Sequence, residues 1–163
     1  MKLRLSLVTI CLLFVTFAIG QNKLPNVSLK NLDNKSINVS SYNNSSKLVI
    51  VSFWATWCGP CIKELEAIKG KYAQWQKDYG VELVAISIDD SKTINRVKPM
   101  VTSKGWKYNV LLDTNQDLKR ALNVVNVPYT MILYKGKVVF THSNYTPGIE
   151  TKMEQELAKI VKK

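Results

Sequence analysis

The fold of this chain is decided by the stretch Phe53-Trp54-Ala55-Thr56-Trp57-Cys58-Gly59-Pro60-Cys61. The residues that lead into it, 47–54, are almost all apolar or β-branched, which predicts a strand buried on both faces. The residues that follow it repeat apolar side chains at helical spacing, at Leu65, Ile68, Tyr72, Trp75 and Tyr79. Gly80 is a natural end for that helix. The two cysteines therefore stand where a buried strand passes into the first turn of a helix.

Cys58 and Cys61 have the spacing that thiol–disulfide exchange requires. The attacking group is a thiolate, and a helix N-terminus favours it because the free N–H groups and the helix dipole stabilise negative charge. Cys58 stands at that start and is the predicted nucleophile, while Cys61 follows one turn later and is the predicted resolving thiol. Gly59 allows a tight turn, and Pro60 has no N–H to leave unpaired in the first helical turn.

Metal, haem and purely structural uses of the cysteines fit the sequence less well. A zinc site needs about four ligands, whereas the chain after residue 20 offers Cys58, Cys61 and His142 as its cysteines and histidine. A c-type haem needs histidine directly after the second cysteine, where the chain has Ile62. We therefore expect no metal and no cofactor beyond the redox-active disulfide itself. An inert structural disulfide remains an alternative, although its two cysteines are too close in sequence to staple a fold.

The rest of the chain alternates predicted strands and helices. Two short alternating segments around the turn residues Asp33-Asn34 predict an N-terminal β-hairpin. The later predicted elements are a strand over 81–88, a helix over 92–104, a strand over 109–112, a short helix over 116–122, hairpin strands over 130–134 and 137–141, and a helix over 149–160. Asp89-Asp90-Ser91 offers N-caps for the second helix, and Pro99 should kink or split it. This order predicts an α/β domain with a central mixed sheet flanked by helices.

Residues 1–20 have the layout of a secretory signal peptide, with a positive start, an apolar run over 5–19 and small residues before a cut after Gly20. The run is short for a transmembrane helix, which needs about 20 apolar residues. We therefore predict a signal peptide over 1–20 and one domain over 21–163. An uncleaved membrane anchor is the alternative.

The formal net charge of the chain is +11, and loss of Lys2 and Arg4 with the signal removes two charges and leaves +9. A basic protein can meet nucleic acid, anionic lipid or acidic proteins. The lysines are scattered, however, and no RNA-binding aromatic signature or zinc-finger spacing accompanies them. We predict a solvated basic surface, no nucleic-acid partner, and membrane association only if the N-terminal segment stays uncleaved.

The segment Trp57–Cys61 resembles the active site of the thioredoxin superfamily, and Val127-Pro128 resembles that superfamily's cis-proline. Within the superfamily the chain resembles the exported TlpA/ResA-like branch. Ser52 stands where cytosolic thioredoxins carry a buried aspartate, and Glu64 stands three residues after the second cysteine, as in that branch. Where the branch often has proline two residues later, this chain has Glu66.

The resemblance covers about residues 24–163 and implies a thioredoxin fold with two additions, the N-terminal hairpin and a helix–strand insert within 89–127. It also implies site roles. Glu64 would face the space beneath the disulfide and accept the proton of Cys61, the alternative being a solvated glutamate paired with Lys63. The implied partner-binding residues are Trp57, Gly59, Pro60, Val127 and Pro128.

The predicted function is reduction of disulfides in exported proteins, in the periplasm or at the outer face of the cell membrane. No NAD or flavin fingerprint is present, and the resemblance implies a membrane thiol donor of the DsbD/CcdA type, with apocytochrome c among candidate clients. A disulfide-forming oxidase would use the same residues. The fold would also suit a non-enzymatic thioredoxin-like adaptor or a thiol peroxidase. Peroxiredoxins, however, carry threonine and proline three and seven residues before the cysteine, where this chain has Ala55 and Val51.

Overall fold

The computed structural model describes residues 23–162, so the predicted signal segment 1–20 lies outside the described residues. The strands are β1 Ser28–Asn31, β2 Ser36–Asn38, β3 Val49–Trp54, β4 Glu82–Ser87, β5 Asn109–Leu112, β6 Tyr129–Tyr134 and β7 Lys137–Ser143. The α-helices are α1 Gly59–Tyr79, α2 Val97–Lys104, α3 Asp117–Ala121 and α4 Ile149–Val161, with short 3-10 helices at Val39–Asn44 and Ile94–Arg96. Across 23–162, no helix combines the length and the apolar character needed to cross a bilayer.

The seven strands form one sheet in the order β2-β1-β5-β4-β3-β6-β7. The central strand β3 pairs parallel with β4 and antiparallel with β6, so the sheet is mixed, as predicted. All six residues of β3 are buried, as expected for a strand covered on both faces. The predicted N-terminal hairpin is β1–β2, which joins the sheet through antiparallel pairing of β1 with β5. The helix–strand insert is α2 with β5.

The helix that carries the cysteines, α1, buries the face that its apolar spacing predicts. Leu65 and Ile68 are fully buried on that face. The helix runs without a break through Glu66, whose carboxylate accepts a hydrogen bond from the Trp106 indole N–H. It ends at Gly80, which has a φ of +64° and so adopts the left-handed conformation that favours glycine.

The helix predicted over 92–104 begins later, at Val97, and the N-caps predicted for it are wrong. Asp90 instead closes a turn, because its Oδ1 accepts hydrogen bonds from the backbone N–H groups of Lys92 and Thr93. These bonds lower the pKa of the Asp90 carboxyl. Pro99 lies in the first turn of α2, where a missing N–H costs no helical hydrogen bond.

Candidate active site

The two cysteines form a disulfide at the start of α1, with their Cα atoms 5.3 Å apart. Cys58 is the N-cap residue, and its Sγ accepts a hydrogen bond from the backbone N–H of Cys61 at 3.2 Å. Pro60 occupies the first helical turn, as predicted. The exposed fraction is 6% for Cys58 and 1% for Cys61. The outer sulfur is therefore both the more accessible one and the one nearest the free N–H groups of the helix.

The loop that leads into Cys58 is held by a buried carboxylate, Asp89, whose sequence position had indicated only a helix cap. Asp89 is 1% exposed and lies just beyond β4. Its carboxylate accepts hydrogen bonds from the Thr56 N–H at 2.9 Å, the Thr56 hydroxyl at 2.5 Å and the Ser87 hydroxyl at 2.8 Å. Asp89 therefore fixes the backbone two residues before the nucleophile.

The segment that faces the disulfide leads into β6, the antiparallel neighbour of β3. The Val127–Pro128 peptide bond is cis, as the family resemblance implied. The Val127 carbonyl oxygen lies 3.8 Å from the Cys58 Sγ, and Pro128 is buried immediately before β6. The Pro128 carbonyl accepts a hydrogen bond from the Asn144 N–H at 3.0 Å. Residues 69 positions apart in the chain thus meet at the outer sulfur.

A surface groove of about 360 Å³ opens beside Cys58. Its lining residues come from separate loops and one short helix: Trp57, Ile88, Gln116, Lys119, Val125, Asn126, Val127 and Asn144. Trp57 and Val125 are exposed by 57% and 78%, which is high for large apolar side chains. Of the predicted partner-binding residues, Trp57 and Val127 line this groove, and Gly59 and Pro60 lie exposed at the helix start.

Asp113 holds in place the helix that supplies Lys119 to the groove, and no sequence pattern had indicated this residue. Asp113 is 1% exposed, and its carboxylate accepts the N–H groups of Leu118 and Lys119 at 3.1 and 2.8 Å. Burial raises the pKa of the Asp113 carboxyl, and these hydrogen bonds oppose the rise only in part. The bonds fix α3, from which Lys119 reaches the groove.

Glu64 is fully buried on α1, one turn beyond Cys61. Its Oε1 accepts a hydrogen bond from the Thr130 hydroxyl at 2.6 Å, and its Oε2 lies 2.8 Å from the His142 Nε2. The alternative of a solvated glutamate paired with Lys63 is therefore wrong. A buried carboxylate held by two side chains has a fixed orientation, which a surface glutamate lacks.

The partners of Glu64 form a row across three strands. The strand register pairs Ser52 of β3 with Thr130 of β6, and Thr130 with His142 of β7. Directly opposed residues point to the same face of a sheet, and the Ser52 and Thr130 hydroxyl oxygens are 3.0 Å apart. Sequence reasoning missed Thr130 and His142 as site residues. The available signal was alternation in β7, where His142 continues the inward face of Val138 and Phe140.

A cysteine pair at a helix N-terminus, faced by a cis-proline on a mixed sheet, is the arrangement of a thioredoxin-like fold. Within residues 23–162, no group of three or more His, Cys, Asp and Glu side chains is placed to hold a metal ion. The family profile described as "AhpC/TSA family" matches residues 20–155, and the chain belongs to that family. Within it, the chain is similar to proteins named thiol–disulfide oxidoreductase ResA.

Two relatives show this similarity, and both are named thiol–disulfide oxidoreductase ResA. The protein from Bacillus subtilis is 35% identical over 71% of this chain, which spans 62% of that protein's length. The protein from Bacillus thuringiensis subsp. konkukian is 30% identical over 83% of this chain and 75% of its own length. Among solved structures, a thioredoxin-like protein from Porphyromonas gingivalis is 44% identical, with a TM-score of 0.76 over 88% of this chain and 93% of that one.

Proposed function

We propose that this protein reduces disulfide bonds in other exported proteins. The observation that carries the proposal is the position of Cys58, which caps α1 beside a groove rimmed by exposed apolar side chains. The helix N-terminus stabilises a thiolate there. The groove offers Trp57 and Val125 to a protein surface, and the nearby Val127 carbonyl offers a backbone acceptor to an extended segment.

The reaction runs in two exchange steps. The thiolate of Cys58 attacks a partner disulfide, so a Cys58–partner bond forms and one partner sulfur leaves as a thiolate. The thiolate of Cys61 then attacks Cys58, so the Cys58–Cys61 bond forms and the second partner sulfur leaves. Both partner sulfurs end as thiols, and both electrons come from the Cys58–Cys61 dithiol.

Glu64 is proposed as the proton acceptor for the second step. Cys61 is 1% exposed, so its thiol has little access to solvent bases. Glu64 follows it one turn later on the buried side of α1, and the hydrogen bonds to its two oxygens fix its carboxylate. A positioned general base typically contributes about 10²–10⁴ in rate.

The compartment and the partners belong to the same proposal. The signal-like segment 1–20 supports export to the periplasm or to the outer face of the cell membrane. A membrane thiol protein of the DsbD/CcdA type would return electrons to Cys58–Cys61, and apocytochrome c is a candidate client. Each exchange needs only sulfur chemistry on both sides, so no further cofactor enters the cycle.

The deciding experiment is the reduction potential of Cys58–Cys61, measured in purified 21–163 protein against glutathione and dithiothreitol buffers. We expect a reducing value, near the roughly −270 mV of thioredoxin. A value near roughly −120 mV would make the protein an oxidant of other proteins' thiols and reverse the proposed electron flow. Cys61→Ser, which cannot resolve the mixed disulfide, should retain client proteins covalently, and Cys58→Ser should retain none.

Two further assays test the peroxidase and the adaptor. A thiol peroxidase would consume hydrogen peroxide at a rate that depends on Cys58, whereas the proposed reductase should reduce insulin disulfides far faster than it consumes peroxide. A binding adaptor would keep its cellular activity when both cysteines are replaced by serine. The reductase should lose that activity completely.

A further inference from the structure

The polar row beneath α1 leads from the interior of the sheet to its edge. Ser52, Thr130 and His142 occupy neighbouring positions on β3, β6 and β7, and β7 is the last strand of the sheet. Glu64 of α1 lies over this row and contacts Thr130 and His142. His142 is therefore the contact of Glu64 that stands closest to the end of the sheet.

The two residues that contact Glu64 differ in their exposure to solvent. Thr130 is fully buried, as is Glu64 itself, whereas the His142 side chain keeps 8% of its surface exposed. A threonine hydroxyl does not change charge in the working range of proteins, but an imidazole does. His142 is thus the described neighbour of Glu64 that can both carry a proton and reach solvent.

We propose that His142 is a positioning residue for Glu64 and the route by which its carboxyl group exchanges a proton with solvent. The inference rests on the proposed role of Glu64. When Cys61 attacks, its thiol proton passes to Glu64, the Cys58–Cys61 bond forms, and the partner sulfur leaves as a thiolate. Glu64 then gives that proton to the imidazole and becomes a carboxylate again. The imidazole releases one proton to solvent, and solvent protonates the partner thiolate.

Glu64 on α1 contacts His142 directly, and further charged groups lie on α4. From α1, Glu64 is the partner at 2.8 Å. From α4, Lys152 approaches the same face of β7, with its Nζ 5.9 Å from the Phe140 ring centroid. Glu150, in the first turn of α4, has one buried carboxylate oxygen without a hydrogen-bond partner among the described residues. Lys152 and Glu150 are the titratable groups from which an effect of His142 must be distinguished.

The test measures the second exchange step directly. Reduced protein is mixed with DTNB in a stopped-flow instrument, where each exchange step releases one thionitrobenzoate. The first release scales with DTNB concentration, and the second, in which Cys61 resolves the mixed disulfide, does not. His142→Gln retains a hydrogen-bond donor near Glu64 but cannot titrate. Glu64→Gln and the double variant complete a double-mutant cycle with His142→Gln. Glu150→Gln and Lys152→Gln are the matched controls.

At pH 7 we expect His142→Gln to slow the second release about tenfold, a part of the roughly 10²–10⁴ that a general base contributes. The pH profile of that step should lose one inflection relative to wild type. The double variant should be no slower than Glu64→Gln alone, because His142 acts through Glu64. Both controls should keep the wild-type rate and profile.

The inference is overturned if His142→Gln keeps the wild-type rate and pH profile, or if its effect multiplies with that of Glu64→Gln. Circular dichroism at each pH verifies that the variants are folded. Insulin reduction by the wild type tests the proposed function separately. If the wild type completes both exchange steps with DTNB but fails to reduce insulin, the proposed reductase function is contradicted. The role of His142 is then still decided by the comparison of the two single variants with the double variant.

Discussion

Replacing Thr130 by valine tests whether the buried polar row stabilises this fold. Valine keeps the shape of threonine and suits a strand, but it removes the hydroxyl that donates to Glu64 at 2.6 Å. A hydrogen bond to a charged group is worth about 1.5–3 kcal/mol. Ser52 also loses the hydroxyl 3.0 Å from its own, which adds about 1 kcal/mol. The expected loss in the free energy of unfolding is therefore about 2.5–4 kcal/mol.

The loss is measured by urea unfolding of the oxidised protein at pH 7, followed through tryptophan fluorescence. In a thermal scan it corresponds to a fall in Tm of about 8–12 °C, at roughly 3 °C per kcal/mol for a domain of this size. The matched control is Thr102→Val, since Thr102 is exposed on α2. If Thr130→Val unfolds within about 0.5 kcal/mol of that control, the row does not hold Glu64 as argued.

Three further changes have outcomes that the structure sets. Asp89→Asn should cost about 2–4 kcal/mol in the free energy of unfolding, because an amide NH₂ then faces donors from Thr56; an unchanged urea midpoint would contradict this. Because burial raises the Asp113 pKa, its contribution to stability is present below about pH 4 and lost as pH rises through the folded pKa. The free energy of unfolding of wild type should therefore fall relative to that of Asp113→Asn as the pH rises from acid to neutral. Parallel curves for the two proteins would contradict the raised pKa of Asp113. Trp57→Ala should slow insulin reduction more than DTNB reduction and leave urea unfolding unchanged, since Trp57 is 57% exposed; equal slowing of both would place Trp57 outside partner binding.

The parts of the fold that local sequence patterns specify were predicted well. The strand before the cysteines, α1 and its end at Gly80 follow from apolar spacing and one turn residue. The start of α2 was missed because Asp90 satisfies a turn of its own and the chain enters the helix through a 3-10 segment, Ile94–Arg96. Competing local hydrogen bonds of this kind are not visible in periodicity.

The site residues were likewise predictable where their arrangement is local in the chain, and not where it depends on the tertiary fold. Cys58 and Cys61 are recognisable from their spacing, because the chemistry and the helix start are local. The approach of Val127 to Cys58 was expected only through family resemblance, since it joins residues 69 positions apart. His142 is 78 positions from Glu64, and its contact depends on the register of β7 against β6. Alternation in β7 indicates that His142 faces inward, but no local pattern contains the register that brings it to Glu64.

The sulfur of Cys58 is also the cap of a helix, and this joins electron transfer to the folding of the chain. Its hydrogen bond from the Cys61 N–H, at 3.2 Å, is available to a disulfide sulfur and more strongly to a thiolate. Reduction and unfolding therefore form a closed thermodynamic cycle, in which about 1.4 kcal/mol of preferential stability in one redox form shifts the potential by about 30 mV. Any substitution that loosens the first turn of α1, at Gly59 or Pro60, should move stability and potential together. How readily the protein gives up electrons is thus set in part by how firmly its cysteine-bearing helix begins.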